Sequence, residues 1–242
     1  MGIDKNSRYK KVTLDFYLMQ MKWVAWFIPS VLVVYLLLGR FLRDSVDLDL
    51  AFHAFMYQPS KIFMLVCGIM ACFAFFNFYV RNGVTRKDVF LGTSIAAALL
   101  AVSIIIISTL LSAVLMLIGS LTAFSPGTGQ LDSLGTDLNL LTFILSTSLI
   151  ILSYYIGGWI ISVGFYKFGW LIGMAFIAVG VMFLALTDLF WEREIAHPIA
   201  NSINLTFPEL PIFTSLIGTI VIIAAGLWLI RQLTKRVRVK LQ

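Results

Sequence analysis

The stretch FYVRNGVTRKDVFLGTS, residues 78–94, decides how the rest of the chain is read. Behind it lies an apolar run, Lys61–Val80, and ahead lies another, Val89–Ile118. Each is long enough to cross a bilayer core of roughly 30 Å as a helix. Between them stand two arginines, a lysine, an aspartate, an Asn-Gly pair and a threonine. A plain reversal needs fewer polar groups. Asn82-Gly83 marks a sharp turn. Thr85 is placed to cap a helix starting at Arg86. Asp88 falls three residues after that cap, where a capping-box acid belongs, although Glu is commoner there. Two structures satisfy the pattern: a short basic helix parallel to the membrane, or a cap that opens the next span directly.

Working outward, the 242 residues are 60% hydrophobic and 12% charged, about half the charged share of a soluble domain. With a mean hydropathy of +0.95, no soluble fold hides this much apolar surface, and a polytopic membrane protein is expected. Six runs reach spanning length: Trp23–Gly39, Lys61–Val80, Val89–Ile118, Asn139–Phe165, Gly169–Phe190 and Ile212–Ile230. Open strands would leave backbone groups unpaired in lipid, and no alternating barrel pattern appears. The expected fold is therefore an all-α membrane protein, one domain over residues 1–242 with six transmembrane helices.

Basic residues set the orientation. The N-terminal segment holds Lys5, Arg8, Lys10, Lys11 and Lys22, and the second-to-third connection holds Arg81, Arg86 and Lys87. Lys167 follows the fourth span, and the tail holds Arg231, Lys235, Arg236, Arg238 and Lys240. Of the 18 Lys and Arg residues, only Arg40, Arg43, Lys61 and Arg193 fall on the other side. Both termini are thus expected in the cytoplasm. The net charge of +6 reads as topology, not as nucleic-acid binding.

Residues 8–22 precede the first span with Tyr9, Val12, Phe16 and Met19 at helical spacing, and with Lys11, Asp15 and Lys22 on another face. This pattern suits an amphipathic helix in the membrane interface, or an ordinary juxtamembrane anchor. No cleavable-signal pattern closes the first apolar run, which reads as a retained span. The connection after the fifth span, residues 191–211, keeps apolar residues among polar ones and reads as short interfacial helices. Cys67 and Cys72 read as apolar filler. Trp23, Trp26, Trp170, Trp191 and Trp228 fall near the interfaces, as an aromatic belt does.

Several chemistries are missing from the sequence. There is no phosphate-binding loop, no H-E-x-x-H helix and no nucleophile elbow. His53 and His197 fall in different outer loops, so no metal pair is expected. Lys61 and Asp188 sit at span ends within reach of the interface, which leaves no intramembrane charge to mark a proton relay. Neither catalytic residue, cofactor site nor metal site is expected in this chain. The third run carries Ser94, Ala97, Ala101, Ser108 and Ser112 at helical spacing, and the fourth carries Thr142, Ser146, Ser153, Gly157 and Gly164. Such stripes read first as helix-packing seams and second as the lining of a path. Gly157-Gly158 and Pro29 are placed to bend their spans.

The Asn-Gly-x-Thr-Arg-Lys core of residues 82–87 resembles the first cytoplasmic loop of ABC-2 type transporter permeases, particularly small ones from Gram-positive bacteria. The likeness extends to the interfacial N-terminal helix, the six spans, the two inner termini and the connection before the last span. It implies a bacterial plasma-membrane permease, in which residues 81–90 form a coupling loop docking on a separately encoded ATPase. By that likeness Arg81, Asn82, Gly83, Thr85, Arg86, Lys87 and Asp88 contact the partner. Two ATPase chains would carry ATP and magnesium, and a second permease chain, identical or related, would complete the path. The implied cargo is an amphipathic peptide, antibiotic or lipid-like molecule. The alternative is a non-transporting membrane module, such as a sensor or an immunity or assembly factor, with the same topology.

Overall fold

The computed structural model describes residues 5–41, 51–121, 139–191 and 211–235. Among these the backbone is helical apart from short turns. The helices are α1 (Lys5–Phe41), α2 (Phe52–Phe55), α3 (Tyr57–Met70), α4 (Asn77–Arg81), α5 (Arg86–Leu121), α6 (Leu140–Phe168), α7 (Trp170–Trp191) and α8 (Ile212–Thr234). A π-helical segment, Ala71–Phe76, joins α3 to α4. Among the described residues six stretches are long and apolar enough to cross a membrane: Tyr9–Gly39, Phe52–Arg81, Arg86–Leu121, Leu140–Phe168, Trp170–Trp191 and Ile212–Thr234. A helix satisfies its backbone within the segment, which is why an apolar chain adopts it in lipid.

Two boundaries differ from the sequence reading. No break separates residues 8–22 from the first span, because α1 runs through both. Its buried side chains include Val12, Phe16, Gln20, Val24 and Ile28, a four-residue repeat that carries one face straight across the expected boundary. Met19, grouped with that face by spacing, is 48% exposed, and Gln20 takes its place. The second span begins at Phe52, not Lys61. Pro59 and the polar residues around it read as loop, yet Pro59 sits in the first turn of α3, where a missing N–H costs little. The residue 192–210 connection, with His197, lies outside the described residues.

Helix α6 is the hub, packed against α3, α5, α7 and α8. Its contact with α3 is backbone to backbone. A Cβ on Gly68 would run into the carbonyl of Tyr155, and one on Gly158 into the carbonyl of Leu65. Opposite, Gly157 receives the side chain of Leu184 from α7. The Gly157-Gly158 pair therefore admits neighbours on both sides of a helix that runs unbroken from Leu140 to Phe168. Helices α7 and α8 leave large apolar side chains outward, among them Leu171, Met182, Val221 and Trp228, the surface a lipid-facing hairpin presents. Trp191 departs from the aromatic belt: it is buried and donates its indole N–H to Thr219 at 2.7 Å.

Candidate functional site

The reversal between α4 and α5 is built from two complete caps. At the end of α4, Gly83 takes φ +78°. Val84 N–H donates to the Tyr79 carbonyl at 3.0 Å, and Gly83 N–H to the Val80 carbonyl at 3.2 Å. Those two bonds around a left-handed glycine make a Schellman motif. Tyr79 and Val84, the positions whose apolar side chains usually meet in this motif, both pack on the cluster of Val12, Phe16, Phe75 and Ala96. Asn82 Nδ2 donates to the Phe78 carbonyl at 2.9 Å. At the start of α5, Asp88 N–H donates to Thr85 Oγ1 at 3.2 Å, and the Thr85 hydroxyl donates to Asp88 Oδ2 at 2.7 Å. In the usual capping box the acid reaches the backbone N–H of the cap residue. Here the shorter aspartate meets the cap hydroxyl. Of the two sequence readings, the chain adopts the cap that opens the span: α5 starts at Arg86 with no separate short helix before it.

The caps fix what the loop shows. Arg81, Asn82, Gly83, Thr85 and Lys87 are exposed, while Val84, Arg86 and Asp88 are half-buried. Arg86 is engaged within the chain. Its guanidinium donates to the Lys235 carbonyl at the end of α8, at 3.2 Å. A cation beside the last carbonyls of a helix is favoured by the helix dipole. Of the expected docking cations, Arg81 and Lys87 are thus the two that face outward.

The small-residue stripes are placed as follows. Ser94 donates to the Phe90 carbonyl, Ser108 to Ile105, Ser146 to Phe143 and Ser153 to Leu149, each within its own helix. Ser108, Ser146 and Ser153 are buried, and Thr142 is half-buried. An open groove of about 220 Å³ lies elsewhere, between α1 and α5, lined by Tyr9, Lys10, Thr13, Leu14, Tyr17, Ile95 and Leu99.

The structure also assembles groups that sequence reasoning set apart. Lys61 lies 3.3 Å from Asp188 and is buried within the protein. The Tyr154 hydroxyl donates to the same carboxylate, 2.6 Å from Oδ2, and the Lys61 ammonium sits 4.3 Å from the Tyr57 ring centroid. This cluster ties α3, α6 and α7 together. The two span-end charges that the sequence set apart therefore form one pair. His53 is likewise not in a loop: it belongs to α2, 3.0 Å from Ser112 Oγ and edge-on to Phe143. Cys67 and Cys72 are free and buried, as filler should be. No group of three metal-ligating side chains occurs among the described residues. No protein-family model, curated protein or solved structure matches this chain.

Proposed function

We propose that the chain is the membrane subunit of an ATP-driven ABC exporter in a bacterial plasma membrane, with both termini cytoplasmic. The observation that carries this reading is the doubly capped loop. Its shape is fixed from both sides, yet Arg81, Asn82, Gly83, Thr85 and Lys87 stand exposed on it. A preorganised, basic, solvent-facing element is what a soluble partner needs in order to bind without first ordering it. The resemblance of residues 82–87 to the ABC-2 coupling loop names the partner class: a separate ATPase, present as two chains, that carries ATP and magnesium. Residues 8–22 lie at the cytoplasmic surface in this arrangement, with Lys10 and Lys11 exposed. A second permease chain completes the complex, and the cargo is amphipathic or lipid-like.

The test is to purify the tagged chain from its native membranes in mild detergent and identify what accompanies it. An ATP-hydrolysing chain in equal amount is expected. Gly83→Val, and separately the pair Arg81→Glu and Lys87→Glu, should release that chain and lower its coupled hydrolysis while the permease stays folded. A chain that purifies alone from native membranes would instead favour the non-transporting module. Full coupling in both variants would remove the docking role of the loop.

A further inference from the structure

The first turn of α5 faces the last turn of α8. Arg86 reaches the Lys235 carbonyl. One turn deeper, the Arg231 guanidinium lies 5.6 Å from the centroid of the Phe90 ring. Phe90 in turn packs on Trp159 of α6 at 5.7 Å. Phe90 and Arg231 each lie four residues, about one turn or roughly 5 Å of helix, along from Arg86 and Lys235. The two arginines differ in one respect. Arg86 has its acceptor, whereas Nη1 of Arg231 is buried with no hydrogen-bond partner among the described residues. The other atoms left so are on neutral side chains: Gln20, Ser60, Thr147, Ser148 and Ser162. An orphaned N–H on a cation is the costliest of these, because an unmatched donor on a charged group costs more than one on a neutral group.

We infer that Arg231 and Arg86 form a site for the phosphodiester of an anionic phospholipid in the leaflet on the loop side. A phosphate supplies the negative charge and the acceptor oxygens that Arg231 lacks, in the geometry guanidinium groups favour. The place also suits a lipid. Arg231 lies one turn deeper than Lys235. Trp228, three residues before it on the same face, is 65% exposed and offers an apolar wall for an acyl chain. An acidic side chain of a soluble partner would have to pass the outermost turn to reach the same atom.

The test uses the full chain reconstituted in vesicles of equal parts phosphatidylcholine and phosphatidylglycerol, then extracted and weighed by native mass spectrometry. One phosphatidylglycerol should stay bound per chain. Arg231→Gln should cut that retention roughly tenfold, the loss expected for one charge-assisted bond. Arg231→Lys should retain an intermediate share, since it keeps the charge and loses the fork. Lys10→Gln, on α1, should change nothing. Thermal unfolding in detergent checks that each variant is folded. Should Arg231→Gln fail to fold, Arg86→Gln takes its place with the same expected direction. Equal retention of the two lipids, or unchanged retention in the folded arginine variants, would overturn the site. So would displacement of the lipid by inorganic phosphate, which would make it a free-anion site. Loss of a soluble acidic partner with lipid retention intact would assign the crevice to that partner instead.

Discussion

The chain reverses twice at the same end of the bundle, and the two reversals are made differently. Between α6 and α7 a single residue suffices. Gly169 N–H donates to the Phe165 carbonyl at 3.1 Å, and its own carbonyl accepts from Gly173 at 2.9 Å. Gly169 thus ends one helix and starts the next, with φ 81° and ψ −169°, a region that in practice only glycine occupies. Its one basic neighbour, Lys167, rests 4.9 Å from the Phe168 ring centroid. Between α4 and α5 the chain uses a Schellman turn, a side-chain bond from Asn82 and a reciprocal Thr85–Asp88 cap. Reversal alone demands one glycine. The additional apparatus of the second loop shapes a surface, and the docking role proposed above would account for that surplus.

The sharpest break would be topological. Both reversals are proposed to face the cytoplasm, so single cysteines at Thr85 and at Lys167 should be protected from an impermeant thiol reagent in intact cells, and one at Thr128 should label. Cys67 and Cys72 are buried and should give little background. Labelling at Thr85 with protection at Thr128 would reverse the orientation. Next in size, Gly169→Ala should destabilise the folded chain by about 1–3 kcal/mol, the cost of holding a non-glycine residue in that backbone region. No neighbour approaches either turn glycine closely, so the penalty is purely conformational. It is read as a lower denaturation midpoint in detergent, and an unchanged midpoint would refute the one-glycine account. Thr85→Ala should cost about 1 kcal/mol through loss of the N-cap, and amide exchange should quicken in the first turn of α5. Smallest of all, Gly83→Asn should cost only a few tenths of a kcal/mol, because asparagine tolerates the left-handed conformation. If Gly83→Asn proves as harmful as Gly169→Ala, the two turns do not differ as described.

Much of this loop was legible in the sequence because caps are local. Asn82-Gly83 and the Thr85–Asp88 spacing announce themselves within a few residues. The six apolar stretches were legible for a similar reason, since length and hydropathy need no partner. What could not be read depends on register between distant helices. Lys61 and Asp188 are 127 residues apart, and nothing near either one names the other. Each reads in sequence as a lone charge near the end of its own span. Only the packing of α3 and α7 around Tyr154 makes them a pair. The engagement of Arg86 by the end of α8, 149 residues away, was hidden for the same reason. The continuity of α1 was missed because exposed Lys11, Asp15 and Lys22 outweighed the buried repeat beginning at Val12.

The close approach of α3 and α6 at Gly68 and Gly158 bears on how this bundle would respond to a push. Where side chains separate two helices, rotamer changes let one helix creep along the other. Here the Tyr155 and Leu65 carbonyls occupy the space a Cβ would take, and no side chain lies between to adjust. Sliding by one residue would drive Cys67 or Ile69 against the backbone of α6. Rocking about the glycines is the freedom that this contact leaves, which would make α3 and α6 two levers on a common pivot. A displacement delivered to the α4 end of that lever would emerge at the other end as a swing in the opposite direction.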